Sequence, residues 1–317
     1  MADEFIGLNG ESEKVQVSPD SGTLLQEPSV EPEISKNKKE PGPKASTPAH
    51  TIEVNLTDRK SPIILLFGPQ SSGKTMTLVR LAQYLRPKGY QLMVDANFCD
   101  NAWEYEANMI NFNKMLGTNF ALKGTGRNDF LLVKILDRQG NTKCQILEGA
   151  GEDYFPSTEV PGYSRSKVPF PAYMTHIFNA PNKKVWMFIT EPNWLTSNDR
   201  FEYVERIKFC KDRHFGQRDK CIIVYNKIDN TPFCSGEKVN VKASIIQCNN
   251  EYQGIFDLFP NTSPLPSFLR EPYACKYVPF STGTYGISVP NHPAQYVPSK
   301  DIHPARLWDA IISCINS

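Results

Sequence analysis

Apolar residues fall in short continuous runs separated by polar stretches of helical period. Ile63–Ile64–Leu65–Leu66–Phe67 follows Pro62 without a polar break. That is the pattern of a strand covered on both faces of a sheet. Val185–Thr190 and Cys221–Tyr225 have the same character. Phe130–Leu136 and Lys143–Leu147 flank Asp137–Arg138–Gln139–Gly140–Asn141, a turn signal that predicts a hairpin. Tyr90–Val94 predicts a short strand ending at Asp95, and Tyr277–Ser281 a last one. Helical spacing lies between the strands. Gly73–Arg86 carries Met76, Val79 and Leu81/Ala82 on one face and is stopped by Pro87 and Gly89. Trp103–Leu116 predicts a short helix, and Arg306–Ile315 a closing one. Asn198–Lys211 reads as an amphipathic helix through Phe201, Val204, Ile207 and Phe209. Strands alternating with helices predict an α/β fold with a mostly parallel sheet.

Residues 1–60 do not share this pattern. They hold one aromatic, Phe5, six prolines, and 7 basic against 11 acidic residues. Such a stretch buries too little apolar surface to offset its ordering entropy, so it reads as a disordered tail, with Thr51–Leu56 as a candidate edge strand. The domain is expected over residues 61–317.

Composition adds exclusions. The whole chain carries 35 basic and 34 acidic residues, a net charge of +1, so no charge bias points to nucleic acid. No apolar run approaches the roughly 18 residues that span a bilayer. Eight scattered cysteines without a CxxC pair argue against a zinc knuckle and a disulfide scaffold, and fit a reducing cytosol.

Candidate chemistry starts after the first strand. Gly68–Pro69–Gln70–Ser71–Ser72–Gly73–Lys74–Thr75 matches G-x-x-x-x-G-K-[ST] between a predicted strand and a predicted helix. Such a loop wraps a phosphate chain with inward N–H groups at the positive end of a helix dipole. Gly68, Gln70, Ser71, Ser72 and Gly73 would form the cradle. Lys74 would meet the β- and γ-phosphates, and the Thr75 hydroxyl would ligate Mg²⁺.

Asn226–Lys227–Ile228–Asp229 ends the run Cys221–Tyr225. With the phosphate loop upstream, the chain resembles the Ras-like GTPases of the translation-factor-related P-loop class, which carry N-K-x-D at this strand end. The resemblance covers roughly residues 61–317. It implies a three-layer P-loop NTPase fold, a mostly parallel sheet with one antiparallel hairpin strand, GTP/GDP and Mg as ligands, and hydrolysis of GTP. It assigns guanine reading to Asp229, loop bracing to Asn226 and cover of one base face to the Lys227 stem. A carboxylate accepts both guanine N1–H and the N2 amine, and adenine offers neither donor.

Three more segments follow from the resemblance. Glu148–Gly149–Ala150–Gly151 stands where the family has D-x-x-G, which makes Glu148 a metal-side acid and Gly151 a γ-phosphate amide donor. Glu152 occupies the position of a water-orienting Gln, and an acid there disfavours fast hydrolysis. Thr125, 23 residues before Glu148, is chosen over Thr118 as the switch threonine and metal ligand. Ser281–Thr282–Gly283 corresponds to the turn that meets guanine O6.

Two expansions, about 95–127 and about 230–274, are expected to hold a protein-partner surface. Arg165 and Lys167 read as solvated loop charges, with a γ-phosphate contact as the alternative. Cys314 reads as core-facing rather than a prenylation site. Three functions stay open: a GTPase switch, a GTP-binding module with negligible hydrolysis, and a P-loop ATPase or kinase. The last rests on the strand ending in Asp95.

Overall fold

Ile63–Phe67 forms β1, and all five side chains are buried because both faces of the strand are covered. Ile63, Leu65 and Phe67 enter one core cluster, and Ile64 and Leu66 the other. In the computed structural model β1 lies near the middle of a seven-stranded sheet of order β2-β3-β4-β1-β5-β6-β9. The other strands are β2 (Gln91–Val94), β3 (Phe130–Leu136), β4 (Thr142–Gly149), β5 (Lys184–Thr190), β6 (Lys220–Tyr225) and β9 (Cys275–Pro279). Only β3 runs antiparallel to its neighbours β2 and β4; β4, β1, β5, β6 and β9 pair in parallel. Two small antiparallel pairs stand apart: β7 (Cys234–Ser235) with β8 (Lys238–Val239), and β10 (Gly283–Tyr285) with β11 (Tyr296–Pro298). The structure describes residues 54–99, 102–117, 130–158, 161–194, 196–264, 266, 270–286 and 295–317.

Helices cover both sheet faces. On one side lie α1 (Lys74–Leu85), α2 (Ala102–Gly117) and α7 (Ile302–Asn316), through side chains such as Leu78, Phe112 and Leu307. On the other lie α4 (Ala172–Asn179), α5 (Ser197–His214) and α6 (Val241–Glu251), through Tyr173, Ile207 and Cys248. A single turn, α3 (Gly151–Tyr154), follows β4. This is a three-layer α/β fold with a mostly parallel sheet and one antiparallel strand.

Element boundaries shift for identifiable reasons. The last sheet strand ends at Pro279 rather than Ser281, because Ser281 and Thr282 turn away toward β10. Helix α5 starts at Ser197 because Thr196 and Asp199 form a reciprocal capping box. Phe201, expected on its apolar face, is 60% exposed. Residues 54–56 of the expected edge strand Thr51–Leu56 form no strand. Leu56 is nevertheless buried, and the Asp58 carbonyl accepts from Gln145 Nε2 and Asn182 Nδ2, each at 3.0 Å. Cys314 is buried in the core cluster beneath α7.

Arg206 is fully buried on α5. Its Nε donates to the Tyr154 carbonyl at 2.8 Å, and Nη1 donates to the carbonyls of Ser166 and Val168. The guanidinium lies 3.7 Å from the Phe170 ring centroid. One cation thereby fastens the end of α3 and the loop after it to α5. Burial lowers its pKa to about 10.

Candidate functional site

Because β4, β1, β5, β6 and β9 are parallel, their carboxyl ends open on one edge of the sheet, the usual place for ligands in such folds. A cavity of about 750 Å³ lies there. Its wall is built from the loop after β1 (Gln70, Ser71, Gly73, Lys74, Thr75), the turn after β4 (Gly151), the turn after β6 (Lys227, Asp229, Asn230) and the segment after β9 (Thr282 to Tyr285). Four segments far apart in sequence thus meet at one cavity.

The loop after β1 is held open by its own backbone. Ser71 has φ 63°, a left-handed conformation uncommon for a residue with a Cβ, and Gly73 has φ 86°. Ser72 is buried, its hydroxyl donating to the Pro69 carbonyl at 2.9 Å. From below, Asn226 Nδ2 donates to the Ser72 carbonyl at 2.9 Å, so the end of β6 props the loop. Helix α1 then starts at Lys74 with glycine at its cap position and no acidic residue in its first turn. The unpaired N–H groups of such a terminus favour an anion.

Lys74 is almost fully buried, and its Nζ donates to the carbonyls of Gly68 and Pro69 at 3.0 and 3.1 Å. Burial brings its pKa down to about 8, against the opposing pull of Glu148 and Asp153. Thr75 Oγ1 donates to Glu148 Oε1 at 2.7 Å. A hydroxyl beside a carboxylate is the donor type that magnesium accepts together with phosphate oxygens. Among the described residues no three His, Cys, Asp or Glu side chains form a metal cage of their own.

Gly151 abuts the loop backbone. A Cβ placed on it would sit 2.2 Å from the Gln70 nitrogen and 2.6 Å from the Pro69 carbonyl carbon. Only glycine permits this approach, so any movement of the loop is felt directly at the start of α3. Glu152, the next residue, is half-buried in α3 and is not part of the cavity wall. Asp153 accepts from the Tyr173 hydroxyl at 2.9 Å.

At the other end, Lys227 has φ 53° and its Nζ donates to the Ser71 carbonyl at 3.1 Å. The same Nζ forms an ion pair with Glu191. Glu191 follows β5, is 5% exposed, and has its backbone N–H and C=O both engaged by the Tyr252 hydroxyl. Burial raises its pKa, with Lys227 opposing. Asp229 is half-buried in a 3-10 turn over Ile228–Asn230, which the Phe280 carbonyl ties to the end of β9 through the Ile228 N–H at 3.1 Å. Ser281 is buried and accepts the Gly283 N–H at 3.1 Å.

The expected site residues Gln70, Ser71, Gly73, Lys74, Thr75, Gly151, Lys227, Asp229, Thr282 and Gly283 therefore share one wall. Gly68, Ser72, Glu148, Asn226 and Ser281 support that wall without being part of it. Thr125 lies outside the described residues, as do Gly124 and Gly126. Sequence reasoning missed Glu191, Thr284 and Tyr285. For Glu191 the signal was present, an acid directly after a buried strand. Arg165, read as a solvated charge, is instead ion-paired with Asp199 and Glu202 at 2.6 and 2.7 Å. Asp95 is buried, ion-paired with Lys134 at 2.9 Å, and absent from the cavity wall.

No protein-family model matches the chain, and no curated protein matches it. Among solved structures, one match is the crystal structure of the S. cerevisiae Ski7 GTPase-like domain bound to GTP. It is 11% identical, with a TM-score of 0.38 over 81% of this chain and 50% of that one. The chain thus spans half the length of that match. Among the described residues, no helix is long and apolar enough to cross a membrane.

Proposed function

We propose that this chain binds GTP and GDP with magnesium, hydrolyses GTP slowly, and changes conformation between the two nucleotide states. The observation that carries the reading is one cavity wall that holds both the loop after β1, with Lys74, and the Asp229 carboxylate. Loop N–H groups and Lys74 hold the phosphates. Asp229 accepts the two donors on the guanine edge, Lys227 covers the base, and the Ser281–Gly283 turn meets its carbonyl. Thr75 and Glu148 would hold magnesium, which neutralises charge on the β- and γ-phosphate oxygens when bound.

In hydrolysis a water oxygen bonds to the γ-phosphorus while the bond to the β,γ-bridging oxygen breaks, leaving GDP and phosphate. Lys74 offsets charge growing on that bridging oxygen. No amide side chain stands at position 152 to orient the water, so turnover is expected on the order of 10⁻³ s⁻¹ or below. The contact of Gly151 with the loop supports the switch: a shift of the loop moves α3, whose far end is tied to α5 by Arg206. The stretch of about 230–274 supplies a protein-partner surface. Ile246 on α6, 62% exposed, supports that role.

The half-buried position of Glu152 in α3 favours a second reading, a GTP-binding module with negligible hydrolysis. The ATPase or kinase reading loses its support, since Asp95 is committed to Lys134 away from the cavity. Calorimetric titration with GTP, GDP and ATP tests the proposal. Discrimination against ATP by at least about a hundredfold is expected from the bidentate guanine contact. Equal affinity for ATP and GTP overturns it. Single-turnover phosphate release then separates slow hydrolysis from none.

A further inference from the structure

We propose that Tyr285 is the aromatic platform on which the nucleotide base stacks, setting affinity for the base while Asp229 sets its identity. This rests on the nucleotide reading above and extends it to a residue outside every motif that carried that reading.

Tyr285 lines the cavity together with Lys227, Asp229 and Thr282. Its side chain is an aromatic left 45% exposed, the only exposed large apolar side chain on this wall among the described residues. A ring held half in water at a cavity wall gains from covering by another flat apolar surface. The ring is also held in place before any ligand arrives. Strand β10 pairs with β11, setting Tyr285 directly across from Tyr296. The two rings lie 5.4 Å apart, tilted by 32°. Tyr296 is buried, and its hydroxyl donates to the Thr282 carbonyl at 2.6 Å.

The backbone ahead of the ring is fixed as well. Gly283 has φ 133°, which an L side chain rarely adopts, and a Cβ there would lie 2.2 Å from the Val297 carbonyl oxygen. The Ser299 N–H donates to the Thr282 carbonyl at 3.1 Å, closing the pair of strands onto the segment after β9. Arg80 of α1 bonds the Ser299 carbonyl at 2.6 Å through Nη2. The helix that starts at the phosphate end thereby anchors the strand pair that carries Tyr285 at the base end. Stacking on a preset ring costs little ordering and tolerates any base, because every base has a π-face. Hydrogen bonding to Asp229 is what distinguishes one base from another.

The test compares wild type, Tyr285→Ala and Tyr285→Phe by calorimetry with GDP, IDP and inorganic pyrophosphate. Tyr285→Ala should weaken GDP and IDP by the same factor, roughly tenfold, and leave pyrophosphate unchanged. Tyr285→Phe should bind both nucleotides within about threefold of wild type, since the ring is kept. The melting temperature of the ligand-free alanine variant should fall by no more than a few degrees, because the ring is 45% exposed and packs on Tyr296 alone among the described rings. Wild-type affinity for GDP in Tyr285→Ala overturns the role of Tyr285 alone. An equal loss for GDP and pyrophosphate also overturns it, by showing a structural role for the strand pair. A wild-type protein that binds no GDP overturns the nucleotide reading, and this inference falls with it.

Discussion

Lys74→Ala is expected to lower affinity for GTP and GDP by at least about a hundredfold, because it removes a buried cation from the phosphate loop. The same change should leave the melting temperature of the ligand-free protein nearly unaltered. The reason is the burial of the ammonium, which brings its pKa from 10.5 to about 8. A shift of that size corresponds to roughly 3 kcal/mol charged against folding. Below about pH 8 the lysine is protonated in both folded and unfolded chains, and the whole cost is present. Between about 8 and 10.5 the folded protein has released a proton that the unfolded chain keeps, so its contribution to stability rises with pH. Alanine removes this cost along with two hydrogen bonds to loop carbonyls, and the two losses offset each other. Bound phosphates raise the lysine pKa again, so nucleotide affinity should fall as pH rises above about 8. Titration in two buffers of different ionisation enthalpy reads the accompanying proton uptake. Unchanged affinity in the variant would place the phosphate site elsewhere.

Gly151→Ala is the second large effect. The added methyl would press on backbone atoms of Gln70 and Pro69, which cannot rotate away as a side-chain end can. The loop or the start of α3 must move, at a cost of about 1–3 kcal/mol. A fall in melting temperature of several degrees is expected, with nucleotide affinity down by about tenfold or more because the cradle itself is displaced. Gly149→Ala serves as the comparison. Its methyl would meet the Tyr173 hydroxyl, the end of a side chain, at 2.4 Å. That methyl strains the buried Tyr173 and its bond to Asp153 but does not press on the loop backbone, so the melting temperature should fall while nucleotide binding is kept better than in Gly151→Ala. Equal binding losses in both variants would show that Gly151 has no special contact with the cradle.

The parts of this fold that could be read in the sequence are those whose residues depend on few distant neighbours. The strands β1, β5 and β6 are continuous apolar runs because helices cover both faces. The loop after β1 is a matter of local spacing. Helix α4 was missed because it is eight residues long and opens directly after Pro171. Helix α6 was missed because only Ser244 and Cys248 of its residues are buried, leaving no apolar stripe to count. The β10–β11 pair is three residues per strand and exists through pairing across the segment between them. Phe201 had the right phase with Val204 and Ile207, yet it lies in the second turn of α5 and is exposed. At the site, motif residues were legible as spacings. Glu191, an acid directly after a buried strand, left a signal that fits no motif spacing, and Tyr285 left none, since it matters only through the register that sets β10 beside β11.

The central claim is that the Asp229 carboxylate reads guanine in this cavity. Exchange of that carboxylate for an amide tests it most directly, because shape is kept while one acceptor becomes a donor. Affinities of wild type and Asp229→Asn for GTP and XTP, measured side by side, should cross. The variant is expected to lose GTP by roughly a hundredfold and to gain XTP, whose edge offers an acceptor where guanine has its amine. An Asp229→Asn protein that binds GTP as tightly as wild type, and XTP no better, would contradict the account.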